Sequence, residues 1–202
     1  LLTGHVLIDH GERRKQILDD AESLCKEEGV QLVNDSELLS ELAGLVEWPV
    51  VLMGSIDKQF LELPREVLTT TMRKNQKYFS LSDDQGNLVP KFIFVTNRQS
   101  NDGGQAIIKG NERVLRARLS DAKFFWEKDK QVKLSKRLPD LKNITFHAKL
   151  GTMESKTSNV ELLAIEIAKI CNADIPMVRM ASRLAKADLS TAMVTEFPDL
   201  QG

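Results

Sequence analysis

Basic side chains are concentrated in one stretch of this sequence, which makes it the clearest candidate for binding chemistry. Residues 109–149 contain 12 lysines and arginines against 5 acidic residues, a formal charge of +7. Residues 1–63 contain 5 basic and 13 acidic residues, a charge of −8. These acidic residues either help to position a basic partner or form a solvated surface. The whole chain has a charge of only −1, so the two regions cancel. Positive charge of this density favours a polyanionic partner, although a solvated helix also produces it.

The pattern from about residue 110 to 128 predicts a helix with two distinct faces. At helical spacing, a packing stripe is formed by Leu115, Leu119, Ala122 and Trp126. The cationic side consists of Lys109, Arg113, Arg116 and Lys123, with Phe124 close to them. Cations about 5–6 Å apart suit a phosphate backbone, and an aromatic ring can stack on an unpaired base. The alternative is a solvated surface helix in which Asp121 and Glu127 pair locally with these cations.

Two weaker candidates lie at the ends of predicted helices. Asn111 is placed at the start of the basic helix, where it is either a helix cap or part of a phosphate-binding N-terminus. A second basic set surrounds a helix that we expect to begin with Pro64 at its first position, and the strand after it. Its members are Arg65, Arg73, Lys74, Gln76 and Lys77. Gln76 either reads a base edge or bonds the backbone. Arg73 and Lys74 also complement the dipole at the C-terminus of the helix, so a structural role for them competes with nucleic-acid contact.

Other kinds of active site find no support in the sequence. It contains no P-loop and no G-x-S-x-G motif, and its three histidines are too scattered for a zinc site. Cys25 and Cys171 both fall in helical patterns, where we expect buried free thiols and therefore a reducing, cytoplasmic compartment. Without a run of about 18 apolar residues, we expect no membrane contact.

The elements that position these residues fall into two regions. Up to residue 145 the patterns predict helices over 11–28 and from Ser36, a buried strand over 49–53, and hairpin strands over 77–81 and 90–95. Residues 131–145 are a charged connection. Apolar helical patterns then cover 155–171 and 177–195, with no strand signal. The fold class we expect is α+β, with a mixed helix and strand region over 1–145 and the start of an all-helical domain over 146–202.

Seven sequence blocks, in one order, carry a resemblance to a known family. They are 3–5 (TGH), 44–50 (GLVEWPV), 63–68 (LPREVL), 72–79 (MRKNQKYF), 110–119 with 121–125 (GNERVLRARL, DAKFF), 149–152 (KLGT), and 186–189 with 193–194 and 196–202 (KADL, MV, EFPDLQG). Each block alone is weak. Together they are spread over nearly the whole chain and resemble the β subunit of bacterial glycyl-tRNA synthetase.

The resemblance implies an α2β2 class II aminoacyl-tRNA synthetase that charges tRNA(Gly) with glycine using ATP and Mg²⁺. It implies that the α subunit holds the aminoacylation site, while the β subunit contributes tRNA binding and assembly. This chain is then an internal β-subunit fragment that binds no cofactor and is inactive alone. Its expected partners are the α subunit, tRNA(Gly) and a second β subunit. The resemblance also favours RNA contact by the basic helix.

The helical C-terminal region resembles the start of an HD-type domain, in which a His-Asp pair binds the metal that activates water for phosphoester hydrolysis. The corresponding pair here is Ala187-Asp188, so the imidazole ligand is missing. We therefore expect no metal site and a structural Asp188, partnered by Lys156, Arg183 or backbone N–H groups. The competing functional hypotheses are a metal-dependent phosphohydrolase fragment and a scaffold without RNA contact.

Overall fold

A computed structural model describes residues 4–202, which form two compact units. The first unit ends at Lys123 and the second begins at Phe124, so the division falls inside a long helix. The elements are a mixture of helices and small antiparallel sheets, which confirms the predicted α+β composition. None of the helices described is long and apolar enough to cross a membrane.

Helices and strands alternate along the first unit. They are α1 His10–Glu27, β1 Gln31–Leu32, α2 Ser36–Leu45, β2 Val50–Ser55, α3 Arg65–Thr70, β3 Phe79–Ser82, β4 Leu88–Thr96 and α4 Gln105–Lys130, the last of which continues into the second unit. A 3₁₀ turn covers Lys58–Glu62, and a π turn covers Thr71–Asn75 directly after α3. The helices and hairpin strands predicted before residue 96 are confirmed. β1 was missed because a strand this short has no detectable periodicity.

The sheet of the first unit is antiparallel, with the strand order β1-β3-β4-β2. One face packs against α1 and α2 in a core that includes Ile17, Leu42, Val51, Phe79 and Ile93. Because side chains alternate along a strand, Phe92 and Phe94 face the opposite side. There Tyr78 stacks on Phe92, with 4.7 Å between ring centroids. The sheet therefore has an aliphatic face and an aromatic face.

A glycine on β2 makes room for the aromatic face. Gly54 is the cross-strand partner of Phe92. A Cβ atom on Gly54 would lie 2.6 Å from the Phe92 ring, well inside van der Waals contact. Since Phe92 is fully buried, the ring has no free space to move into. The aromatic face therefore depends on the missing side chain at position 54.

The second unit combines a short hairpin with packed helices. Its elements are β5 Thr145–His147, β6 Gly151–Thr152, α5 Met153–Ile170, α6 Ile175–Leu184 and α7 Ala192–Glu196. Further 3₁₀ turns cover Leu134–Lys136, Leu138–Asn143, Ala187–Ser190 and Pro198–Leu200. α5 and α6 pack against each other, and Asp174 caps α6 by accepting a hydrogen bond from the backbone N–H of Met177.

Asp129, near the end of α4, joins three segments of the second unit. Its carboxylate accepts hydrogen bonds from Arg137 Nη2 at 2.7 Å and from the backbone N–H groups of Ala192 and Met193 at 3.1 and 2.7 Å. Arg137 also donates to the carbonyl of Ser190 at 3.2 Å. Only 12% of the Asp129 side chain and 13% of the Arg137 side chain are exposed. This ion pair therefore fixes the start of α7 to the end of α4.

The prediction of a single helix over 177–195 was wrong. α6 ends at Leu184, a 3₁₀ turn follows, and α7 begins only at Ala192. Thr191 has extended backbone angles, and its hydroxyl caps α7 by accepting from the N–H of Val194. Apolar residues continue at helical spacing across this break, so their periodicity could not locate it.

Two smaller predictions about the second unit were also wrong. β6 lies in a region where we expected no strand, and Cys171 is exposed just after α5. Cys25 is buried as expected, and burial raises the pKa of its thiol. A domain boundary near residue 145, with an HD-like domain starting at 146, stays a prediction.

Candidate nucleic-acid interface

Hydrogen bonds fix α4 to the sheet of the first unit. Glu112 accepts from the backbone N–H of Ser55 on β2 at 2.8 Å. Tyr78, just before β3, donates its hydroxyl to the Oδ1 of Asn111. Complete burial of Leu115, Leu119 and Ala122 confirms most of the predicted packing stripe, whereas its fourth member, Trp126, is only half-buried. One face of the helix is therefore held inward, and the opposite face is left exposed.

The prediction that Asn111 begins the basic helix was wrong. α4 already begins at Gln105, so Asn111 lies within the helix. Its Nδ2 donates to the carbonyl of Ile107 at 2.8 Å, while its Oδ1 accepts from Tyr78. Inside a helix its backbone N–H is no longer one of the unpaired groups that receive a phosphate at an N-terminus. In this structure Asn111 ties α4 to the residue that precedes β3.

Two of the four cations on the predicted face form ion pairs with the 3₁₀ turn after β2. Arg116 donates to Asp57 through Nε at 3.0 Å and through Nη2 at 3.2 Å. Lys123 Nζ lies 3.1 Å from a carboxylate oxygen of Glu62. At 100° per residue both cations border the packing stripe, so their side chains reach residues 57–62. Such exposed pairs stabilise by only about 0–1 kcal/mol, but they neutralise charge that a ligand would otherwise meet.

The other two cations, Lys109 and Arg113, are exposed. They are four residues apart on α4, which brings their Cβ atoms within about 5–6 Å. Among residues 4–202 neither of them has an ion-pair partner. We refer to Lys109 and Arg113 as the outer pair. The predicted cationic face therefore consists of an outer pair with uncompensated charge and an inner pair held by carboxylates.

Phe124 follows Lys123 on α4 and is the first residue of the second unit. Its side chain is 62% exposed, and its ring meets Phe125 edge-on at 5.4 Å between centroids. Exposed aromatic rings are suitable platforms for base stacking. Stacking of a base on Phe124 stays a prediction.

Two of the five members of the second basic set form ion pairs with α2 and its N-cap. Arg73 binds Asp35 through Nε and Glu37 through Nη2, the latter at 2.8 Å. Lys77 Nζ binds Glu41 at 2.7 Å. Burial opposes ionisation of Asp35, but hydrogen bonds from Arg73 and from the backbone hold its pKa below the ordinary value. These contacts favour the structural interpretation of Arg73 and Lys77 and leave their contact with RNA a prediction.

Lys77 occupies a backbone conformation in which glycine is usual. Its φ is 59°, in the left-handed region. Its N–H donates to the carbonyl of Arg73 at 3.1 Å, and the N–H of Tyr78 donates to Met72 at 3.0 Å. Each bond spans one residue more than its counterpart in the Schellman pattern that ends an α-helix, because a π turn precedes Lys77. A non-glycine residue costs roughly 1–2 kcal/mol in this conformation, and the ion pair with Glu41 offsets part of that cost.

The other members of the second set have mixed surroundings. Arg65 Nη1 donates to the carbonyl of Gly86 in the turn between β3 and β4, at 2.7 Å. Lys74 is exposed, and Gln76 is half-buried beside the hydroxyl of Tyr78. Pro64 is the N-cap of α3, not its first residue as predicted. RNA contact by Arg65, Lys74 and Gln76 stays a prediction.

Asp188, which the sequence analysis aligned with the aspartate of an HD pair, has a backbone partner. Asp188 Oδ2 accepts a hydrogen bond from the N–H of Gly202 at 3.0 Å, which confirms one of the three partners we considered. The other two are engaged elsewhere, since Arg183 pairs with a glutamate on α5 and Lys156 lies over an aromatic ring. No group of three or more His, Cys, Asp or Glu side chains suited to a metal ion occurs among residues 4–202.

Sequence analysis missed the two residues that anchor α4. Tyr78 is the only tyrosine in the chain, and burial raises its pKa to about 12. A buried tyrosine needs a partner for its hydroxyl, so an apolar strand containing one already indicates a polar contact. Glu112 offered no comparable signal, because its partner Ser55 is 57 residues away in the chain.

Comparison with known proteins extends over the entire chain. Residues 1–202 match the model of the family described as glycyl-tRNA synthetase beta subunit. The chain is 53% identical to the glycine–tRNA ligase beta subunit of Rhodospirillum centenum, over 98% of this chain and 28% of that protein. It is 50% identical to that of Phenylobacterium zucineum and 48% identical to that of a Ruegeria species, over 98% of this chain and 30% and 29% of theirs. This chain therefore spans less than a third of the length of these curated relatives.

Proposed function

We propose a tRNA-binding and subunit-assembly role for this chain, which belongs to the glycyl-tRNA synthetase beta subunit family. In a full-length enzyme it would support ATP-dependent charging of tRNA(Gly) with glycine. Its partners there would be the α subunit, a second β subunit and tRNA(Gly). Because residues 4–202 contain no carboxylate or histidine cluster suited to a metal, we assign ATP and Mg²⁺ to another part of the enzyme.

The observation that carries the tRNA-binding proposal is the outer pair of α4. Lys109 and Arg113 present two positive charges on a helix whose position is fixed by Asn111 and Glu112. A fixed helix pays little ordering entropy on binding, so such cations are well suited to neighbouring phosphates. The cationic face of α4 then has two roles. Arg116 and Lys123 hold the turn at residues 57–62, while the outer pair binds RNA.

The decisive experiment compares two double charge reversals in the full-length holoenzyme. The test variant is Lys109→Glu with Arg113→Glu. The control is Arg14→Glu with Lys15→Glu, which makes the same charge change at two exposed positions on α1. Affinity for tRNA(Gly) is measured across a salt series. The salt slope is the slope of the logarithm of the binding constant against the logarithm of the salt concentration. Each lost phosphate contact reduces its magnitude by about 0.7–0.9, so the slope of the test variant should be smaller by roughly 1.5. The control should keep the wild-type slope.

The same measurements distinguish RNA contact from a purely structural role. Equal slopes in the test variant, the control and the wild type would refute RNA contact by the outer pair. If the test variant also lost its α subunit, as measured by size-exclusion chromatography, the scaffold hypothesis would take its place. Arg116 and Lys123 are left unchanged because reversing them would also break the ion pairs with Asp57 and Glu62.

A further inference from the structure

α6 exposes its two methionines although it packs against α5. Its large side chains at Met177 and Met180 are 69% and 65% exposed. The residue it buries is Ser182, whose hydroxyl bonds back to the carbonyl of Val178. A surface helix normally places its apolar stripe inward and its polar residues outward. The exposed stripe of α6 therefore lacks a partner within the second unit.

Met180 lies in one wall of a large open groove beside α6, and Met177 lies outside the lining of that groove. The groove has a volume of about 730 Å³, and residues 133–138, before α5, form the opposite wall. Its apolar lining consists of Leu134, Leu138, Ile175, Pro176, Met180 and Leu184. An open apolar groove beside a helix matches the shape that receives the apolar face of another helix.

The rim of the groove is positively charged. Lys133, Arg179 and Arg183 line it, and Glu161 is the single carboxylate that both arginines share. The two Nε atoms lie 3.4 and 3.6 Å from Glu161, and more than half of each arginine side chain is exposed. One carboxylate cannot neutralise three cations. The rim thus favours a segment with acidic residues beside its apolar face.

α5 provides a second observation that the second unit exposes an unusual amount of apolar surface. Val160, Leu163, Ile167 and Ile170 are 43–82% exposed and recur at intervals of three and four residues. This spacing is the seam of a helix that packs against another helix. Soluble proteins seldom leave contiguous apolar surface of this kind uncovered.

The occupant of the groove is best supplied by the rest of the same polypeptide. The curated relatives are more than three times as long as this chain, since it covers only 28–30% of each. A segment of the same chain has a high effective concentration and would cover the groove before any subunit meets another. We propose that the groove between α6 and residues 133–138 binds an amphipathic helix from another part of the full-length β subunit, with acidic residues beside Lys133, Arg179 and Arg183.

The first test measures whether the groove is covered in the full-length holoenzyme. Met180→Cys places a thiol in the groove, and Asn143→Cys places one at an exposed polar position of the same unit, outside the groove and α5, as the control. Maleimide labelling of each position is followed by peptide mass spectrometry. Covered positions react only after local opening, so Cys at 180 should react at least about tenfold more slowly than Cys at 143. Equal rates would overturn the proposal.

A second test identifies the occupant without changing the shape of the groove. Photo-methionine replaces methionine in the holoenzyme, and cross-links from position 180, which lines the groove, are mapped by mass spectrometry in a mixture of two isotopically labelled β-subunit populations. The proposal predicts links within one β chain, to a segment outside these 202 residues that carries acidic residues. Mixed-isotope links would show a second β subunit, and links to the α subunit would show that partner. Either result overturns the proposal, and neither depends on tRNA binding.

Discussion

Removing the Asp129 carboxylate should destabilise the second unit more than any change at its surface. Asp129→Ala leaves the buried Arg137 guanidinium with the Ser190 carbonyl as its remaining acceptor. The Nε of Arg137 already lacks a hydrogen-bond partner, so the site has no spare acceptor to compensate. Breaking a buried ion pair at one partner costs about 3–5 kcal/mol. The lost cap on α7 belongs to the same network, so we expect about 3–5 kcal/mol in total.

Urea unfolding of the 202-residue chain measures this loss. In a Trp48→Phe background, Trp126 is the single tryptophan and reports on the unit that contains Asp129. Asp129→Asn retains an oxygen that can accept one hydrogen bond and should lose less stability than Asp129→Ala. Asp140→Ala, at an exposed position of the same unit, should stay within about 0.5 kcal/mol of the wild type. If Asp129→Ala also fell within that range, the ion pair would not hold this unit together.

Two further predictions concern the aromatic face of the sheet. Gly54→Ala should destabilise the chain by about 1–3 kcal/mol in the same urea experiment, because its Cβ would overlap the Phe92 ring. Gly44→Ala on α2 is the control. No atom lies within 4 Å of the added carbon there, so this change should be neutral or stabilising. The single tyrosine should titrate near 12 in the folded chain and near 10 when unfolded, as followed by phenolate absorbance. Because the folded pKa is raised, the contribution of Tyr78 to stability should be complete below about pH 10 and be lost towards pH 12. Tyr78→Phe should therefore reduce the alkaline loss in this range, and the buried Cys25 thiol, whose pKa is also raised, contributes a separate part.

The elements that the sequence predicted well are those specified by nearby residues. Asp35 caps α2 through the N–H of Leu38, and Gly29 has the positive φ expected after the end of α1. The errors arise where a boundary depends on distant contacts or continuous apolar spacing. α4 begins before Gly110, and the break at Thr191 is stabilised by Asp129 contacts with the first residues of α7. No local pattern contains that information.

The candidate site shows the same limit. Helical spacing correctly placed Lys109, Arg113, Arg116 and Lys123 on one side of a helix. It did not separate the outer pair from the inner pair, because the partners of Arg116 and Lys123 lie about 60 residues earlier in the chain. Distinguishing them requires the fold of the first unit.

Part of the charge asymmetry of the sequence is resolved by ion pairs inside the first unit. Acidic residues of the −8 region are the ion-pair partners of later cations, on α2 for Arg73 and Lys77 and on the 3₁₀ turn for Arg116 and Lys123. The charge of these four cations is thus neutralised inside the first unit. The outer pair alone provides a salt slope for about two phosphates. Among the four cations of the predicted face, Arg116 and Lys123 would add to that slope only by leaving their carboxylates when RNA binds.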